Sequence, residues 1–187
     1  MANKYTNTGD NLKFENRSLL YVIPGGIIGG FFIMLILFYA ASTLGLPYYA
    51  VYLVYGLSLH ASASSATNVG YLVHYIAASV IAMLFITLIQ MVGFFRGNSA
   101  PKVIALGLVY GIVVFIVFFV PLFYLAFAPV MVSLLGKTAV DSVAGKVLLF
   151  AFIVHVVYGL TLGAWSFFAL RILHHRGKAP LIQGIKS

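Results

Sequence analysis

His74 and His155 stand 81 residues apart in apolar sequence, each followed at four and eight positions by small residues: Ala78 and Ala82 after the first, Gly159 and Gly163 after the second. Positions i, i+4 and i+8 share one face of a helix, so each imidazole should point the way its small neighbours point, into a helix bundle. An ionisable group inside an apolar span is a pointer to function. Three chemistries suit it. Each neutral ring can donate to a carbonyl, tyrosine or serine of a neighbouring helix, which gives a polar group in lipid its partner. The two rings can instead be axial ligands of one haem b, with small residues leaving space for the porphyrin. Or they can hold copper or zinc with a further ligand such as His60. The last arrangement lacks carboxylates to orient metal-bound imidazoles, and no metal site is assigned.

The offset of 81 holds beyond the histidines. Val22 falls on Val103, Gly26 on Gly107 and Gly30 on Gly111, with no gap between them. Two glycine pairs and one histidine pair in a single register point to an internal duplication. The matched residues are also the ones that let helices meet in lipid, where small side chains and close backbone approach replace the hydrophobic drive. Gly26 and Gly30, Gly107 and Gly111, Ala78 and Ala82, and Gly159 and Gly163 give each of four helices one small stripe.

The elements that carry these stripes follow from composition. Of the 187 residues 63% are hydrophobic and 7% charged, and the mean hydropathy is +1.08, values that do not fit a water-facing surface. A membrane span needs about 20 apolar residues, and four runs qualify: residues 18–43, 69–95, 101–128 and 146–172. All four should be helical, because a span in hydrocarbon must satisfy its own backbone. The expected architecture is an all-α, four-helix membrane bundle forming one domain over 1–187. Its two parallel two-helix repeats occupy about 17–97 and 98–178, with short polar tails at 1–17 and 173–187. Parallel repeats relate by a pseudo-two-fold axis along the membrane normal.

The net charge of +8 is distributed by topology. Lys4, Lys13 and Arg17 precede the first span, Arg96 and Lys102 lie between the second and third, and Arg171, Arg176, Lys178 and Lys186 follow the fourth; only Lys137 and Lys146 fall on the other side. By the positive-inside rule this puts both termini in the cytoplasm of a multi-pass cell-membrane protein. Nucleic acid is not an expected partner, since there is no separate basic domain or stacking platform. His174, His175 and Arg176 read as a match to the helix dipole and an inner-face anchor. A cleaved leader is not expected at the first span, whose run exceeds an h-region of about 7–15 residues and which matches an internal segment.

Between the first two spans, Tyr48, Tyr52 and Tyr55 recur at helical spacing and predict an interfacial outer helix anchored by an aromatic belt, or a docking surface for another subunit. Its counterpart in the second repeat is expected at 128–139. The only acids, Asp10, Glu15 and Asp141, lie outside the predicted spans, which argues against a cation carrier, and no nucleophile–base motif is present. With no cysteine there is no thiolate chemistry. No catalytic residue is assigned.

The run Val154, His155, Val156, Val157, Tyr158, Gly159, with histidine followed four residues later by glycine, resembles YagU-like small four-helix membrane proteins, a likeness that implies the fold and transfers no catalytic residues. In general character the chain is also similar to accessory subunits of respiratory complexes or of ammonia- and methane-oxidising monooxygenases. The expectation is a non-catalytic structural subunit that contacts membrane lipid and other integral membrane subunits in a hetero-oligomer. The alternatives are a bis-histidine haem electron carrier, and a small channel or lipid-interacting protein.

Overall fold

The computed structural model describes residues 16–91 and 99–176. Four helices are long and apolar enough to cross a membrane, and the described residues contain no strand. Helix α1 is Asn16–Thr43, α2 is Ala50–Ser58 and α3 is Ala66–Met91. Helix α4 runs over Ala100–Leu135 and α5 over Lys137–Arg176. Lys4, Lys13, Arg96, Lys178 and Lys186, on which much of the charge asymmetry rests, lie outside the described residues, as do Asp10 and Glu15.

The second half departs from the expected boundaries. Residues 128–135 do not form a separate interfacial helix; they continue α4, and a single residue, Gly136, joins it to α5. The cause is local. Between Ala128 and Leu135 the one helix-interrupting residue, Pro129, is accommodated by the wider turn ahead of it, whereas Gly136 takes φ +82°, a left-handed conformation that costs glycine little. At 36 and 40 residues the two helices are about 54 and 60 Å long, well beyond a hydrocarbon core of about 30 Å. Their joined tips carry the exposed Lys137–Asp141 pair, 2.5 Å apart.

Helix α4 also absorbs two prolines. Proline lacks an N–H and its ring crowds the carbonyl four residues back. The turns ahead of Pro121 and Pro129, Phe115–Phe119 and Phe123–Phe127, are accordingly wound as wider π-helical turns. The helix stays continuous and its distal half is broadened, where distal denotes the end capped by α2 and Gly136.

Helix α1 packs on both α3 and α5, α4 packs on α5, and α2 lies across α3. Trp165 Nε1 donates to the Tyr21 carbonyl at 2.8 Å, so the start of α1 and the end of α5 lie together. The seam between α3 and α4 is different. It is bridged by Tyr110, whose ring sits 5.0 Å from Phe85 and whose hydroxyl donates to the Ile81 carbonyl at 3.0 Å. The main core, around Val22, Phe85, Ile86, Val103 and Leu162, fills the bundle, and a smaller cluster of Phe123, Phe127, Met131 and Val140 holds the Gly136 tip together.

Candidate functional site

The small residues set the spacing of the helices, and with it the shape of the interior. A Cβ on Gly26 would stand 2.9 Å from the Ala78 oxygen and 2.9 Å from Ala82 Cβ, so α1 and α3 meet at that point. A Cβ on Gly107 would overlap the Gly159 carbonyl oxygen and stand 2.8 Å from Gly163 Cα, while one on Gly111 would overlap the carbonyl oxygen of His155 and stand 3.1 Å from Gly159 Cα. Gly30 is looser, its nearest neighbours being the Tyr75 ring at 3.3 Å and Ala78 Cβ at 3.4 Å. Adding 81 to Gly26, Ala78 and Ala82 gives Gly107, Gly159 and Gly163, so both pairs of helices cross at numerically equivalent positions.

A third crossing joins α2 to α3. There a Cβ on Gly56 would overlap the Ala66 carbonyl, and one on Gly70 the Tyr52 carbonyl. The sequence reading singled out neither glycine, although Gly70 continues the stripe of His74, Ala78 and Ala82 one turn earlier.

Both histidines line one cavity in the distal half, of about 600 Å³. His74 is 8% exposed and His155 partly buried. His74 Nε2 is 3.1 Å from the Gly30 carbonyl of α1, and His155 Nδ1 is 2.7 Å from the Ala151 carbonyl of its own helix. A carbonyl oxygen can only accept, so these nitrogens carry the protons and the neutral rings keep their lone pairs on His74 Nδ1 and His155 Nε2. Neither of those nitrogens has a hydrogen-bond partner or is sealed off among the described residues. His74 packs edge-on to Tyr52 and Tyr75, and His155 lies against Phe115 and Phe119. His60 does not join them: it lies exposed in the turn after α2, at φ 60°, and among the described residues no three metal-ligating side chains gather.

Apart from the hydroxyl-bearing Tyr49, Tyr55, Ser58 and Tyr158, the rest of the wall is apolar, supplied by all five helices, with Ile33, Leu37, Val73, Ala77, Phe118, Phe119, Leu122 and Val154 among its residues. Most of the α4 contribution comes from the π-wound turns and the residues beside them. Helix α2 roofs the cavity, with Tyr55 stacked 4.6 Å from Phe127 of α4.

The tyrosines sort differently from their spacing. Tyr48 is 60% exposed, whereas Tyr52 is fully buried, stacked 4.0 Å from Tyr71, and Tyr55 turns toward α4. Burial pushes the hydroxyls of Tyr52 and Tyr55 far above the usual tyrosine range, and for Tyr52 the neighbouring Tyr55, Tyr75 and Tyr71 add to it, so both remain protonated phenols. Two further tyrosines carry the architecture and were not foreseen. Tyr158 lies over Gly29 of α1 and donates to the Ala78 carbonyl of α3, and Tyr110 ties α4 to α3. At the positions 81 earlier stand Ala77 and Gly29, so the register of 81 does not carry either tyrosine.

Tyr158→Phe removes a hydrogen bond and leaves the Ala78 oxygen without this partner, so it should cost about 1–2 kcal/mol. Tyr52→Phe removes a buried hydroxyl that has no partner among the described residues and should be neutral or stabilising by up to about 1 kcal/mol. Unfolding titrations of the two variants in mixed micelles check this: equal losses would contradict the assigned bonding.

No protein-family model, curated protein or solved structure matches this chain, so the site is read on its own chemistry.

Proposed function

We propose that this chain is a non-catalytic structural or accessory subunit of a multi-subunit integral membrane complex. In this reading it is built by duplication of a two-helix unit and has both termini in the cytoplasm. The observation that carries the subunit reading is α4. Only 22% of its 18-residue apolar stretch is buried within the chain, against 33–39% for the corresponding stretches of the other three, and Ile116, Val117, Tyr124 and Leu125 present a large bare strip. Leu125 is 81% exposed. A strip of that kind on the least supported helix suits the apolar helix of a partner subunit, packed by van der Waals contact as helices in lipid are.

The interior supports a non-catalytic role. Among the described residues no carboxylate lines the cavity, and the serine and tyrosine hydroxyls whose partners are known, Ser58 and Tyr158, donate to backbone carbonyls. The equivalent crossings at Gly26 and Gly107 support the duplication. The haem alternative has in its favour that both histidines line one cavity, but ligation through His74 Nε2 would require it to release Gly30.

A photo-crosslinking amino acid at Leu125, activated in the native membrane, tests the subunit reading. It should give one discrete, heavier product with a different membrane chain, in constant stoichiometry. Adducts to lipid alone, or to a second copy of this chain, would remove the reading.

A further inference from the structure

We propose that the distal cavity is a binding site for a membrane-dissolved amphiphile with an apolar tail and a hydroxyl head, admitted sideways between α3 and α4 and held by its hydroxyl donating to His74 or His155. The inference goes beyond the subunit reading and does not depend on it.

Size and lining set the first term. About 600 Å³ lies in the ordinary range for small-molecule sites, about 300–1,000 Å³, and the wall is almost wholly apolar. The route in sets the second. Helices α3 and α4 are held together by Tyr110 at Ile81, and distal to that bridge Ala77 on α3 and Phe118 and Leu122 on α4 both line the cavity and are exposed. This opening lies in the flank of the bundle, within the stretch that would face hydrocarbon, and the α2 roof lies across the end. A molecule already dissolved in the membrane reaches it without crossing water. The wider turns of α4 form that flank, and such π-wound turns recur at functional sites.

Hydrogen bonding sets the third term and selects the head group. The N–H of each imidazole is occupied by a backbone carbonyl, so what the pair still offers is two lone pairs. Lone pairs call for a donor. A ketone, an ester or a quinone carbonyl brings only acceptors to the histidines, and a carboxylate or phosphate would in addition carry an uncompensated charge into apolar surroundings. A hydroxyl brings the one proton needed. The remaining wall hydroxyls, those of Tyr49 and Tyr55, belong to the roof rather than to the two histidine-bearing helices.

The test uses the full chain reconstituted in phosphatidylcholine vesicles with a diazirine-bearing hexadecanol as probe. Photolabelling should concentrate on peptides containing Val73–Ile81 and Val114–Phe127. Unlabelled hexadecanol should compete about tenfold better than its methyl ether, which keeps the tail and the oxygen but has no proton to give, a ratio that corresponds to one buried hydrogen bond. Ala77→Phe, at an exposed position on the rim, should reduce labelling of both peptides at least about fivefold without changing the unfolding midpoint. In a His74→Leu/His155→Leu variant the alcohol and the ether should compete equally. Equal competition by alcohol, ether and hexadecane in the wild-type protein would overturn the proposal even if the histidine variant fails to fold. So would labelling spread evenly over the lipid-facing surface, or a Soret band from the protein isolated from its native membrane, which would give the histidines to haem. None of these outcomes bears on the Leu125 cross-link.

Discussion

Gly70→Ala is expected to destabilise the protein by about 3 kcal/mol or more, an unusual cost for one methyl group. The new Cβ would overlap the carbonyl oxygen of Tyr52 and stand 2.7 Å from its carbonyl carbon and 3.0 Å from its Cα. All three atoms are backbone, so no rotamer change relieves the clash; α2 must move off α3. Gly56→Ala meets the same obstacle from the other side, at the carbonyl of Ala66. Because α2 carries Tyr52 into the core and Tyr55 onto Phe127, lifting it should also open the cavity roof. Gly145→Ala is the internal control. It lies in α5 with nothing within 4 Å of its Cβ position, so the substitution should be neutral or stabilise by up to about 1 kcal/mol through helix propensity. Chemical unfolding in mixed micelles reads all three variants. A loss below about 1 kcal/mol for Gly70→Ala would mean that the α2–α3 crossing is not as close as described.

That crossing shows where the sequence was legible and where it was not. The four apolar helices are readable because a span must supply about 20 consecutive apolar residues, which few other constraints produce. Helix α2 is readable from the spacing of its tyrosines, but spacing says only that residues share a face, not what the face meets. Tyr48 stays at the surface while Tyr52 is buried, because Gly56 and Gly70 bring α2 so close to α3 that this side becomes interior. For a related reason, helices α4 and α5 extend beyond the spans that the sequence predicts. Apolar periodicity does not distinguish the part of a helix that crosses hydrocarbon from its continuation beyond, and the reversal at Gly136 occupies one residue.

The histidines illustrate a finer limit. They occupy equivalent positions in the register of 81, yet His74 reaches across to Gly30 on α1 whereas His155 bonds back to Ala151 on its own helix. The seams explain the difference. Next to His74, even a Cβ added to Gly30 would clear its neighbours by 3.3 Å or more, which leaves room for an imidazole to approach the Gly30 carbonyl. At the equivalent place Gly111 is pressed against the main chain of His155 itself, and the ring is turned toward the cavity wall of Phe115 and Phe119. Identical residues at equivalent positions thus take different bonds because their helices stand at different distances, which no residue pattern states.

The same difference in local clearance makes Gly107→Ala the second large effect and ranks it against Gly30→Ala in the other seam. A Cβ at Gly107 meets the carbonyl oxygen of Gly159 and the Cα of Gly163, and one at Gly159 meets the carbonyl of Gly107 and stands 3.1 Å from Gly111 Cα. Both substitutions push main chain against main chain and should each cost about 3 kcal/mol. Gly30→Ala, at the looser point of its seam, meets the Tyr75 ring at 3.3 Å, which can shift, and Ala78 Cβ at 3.4 Å, an ordinary van der Waals contact, and should cost no more than about 1 kcal/mol. If Gly30→Ala proved as damaging as Gly107→Ala, the clearance at Gly30 would be absent and the account of the histidines would fall with the ranking. The double variant Gly107→Ala/Gly159→Ala gives the sharper check. The two methyls act on one seam, so once the first has parted α4 from α5 the second enters space already opened. The combined loss should therefore fall short of the sum of the single losses by about 1 kcal/mol or more. Strict additivity would mean that each clash is relieved locally, without the helices separating.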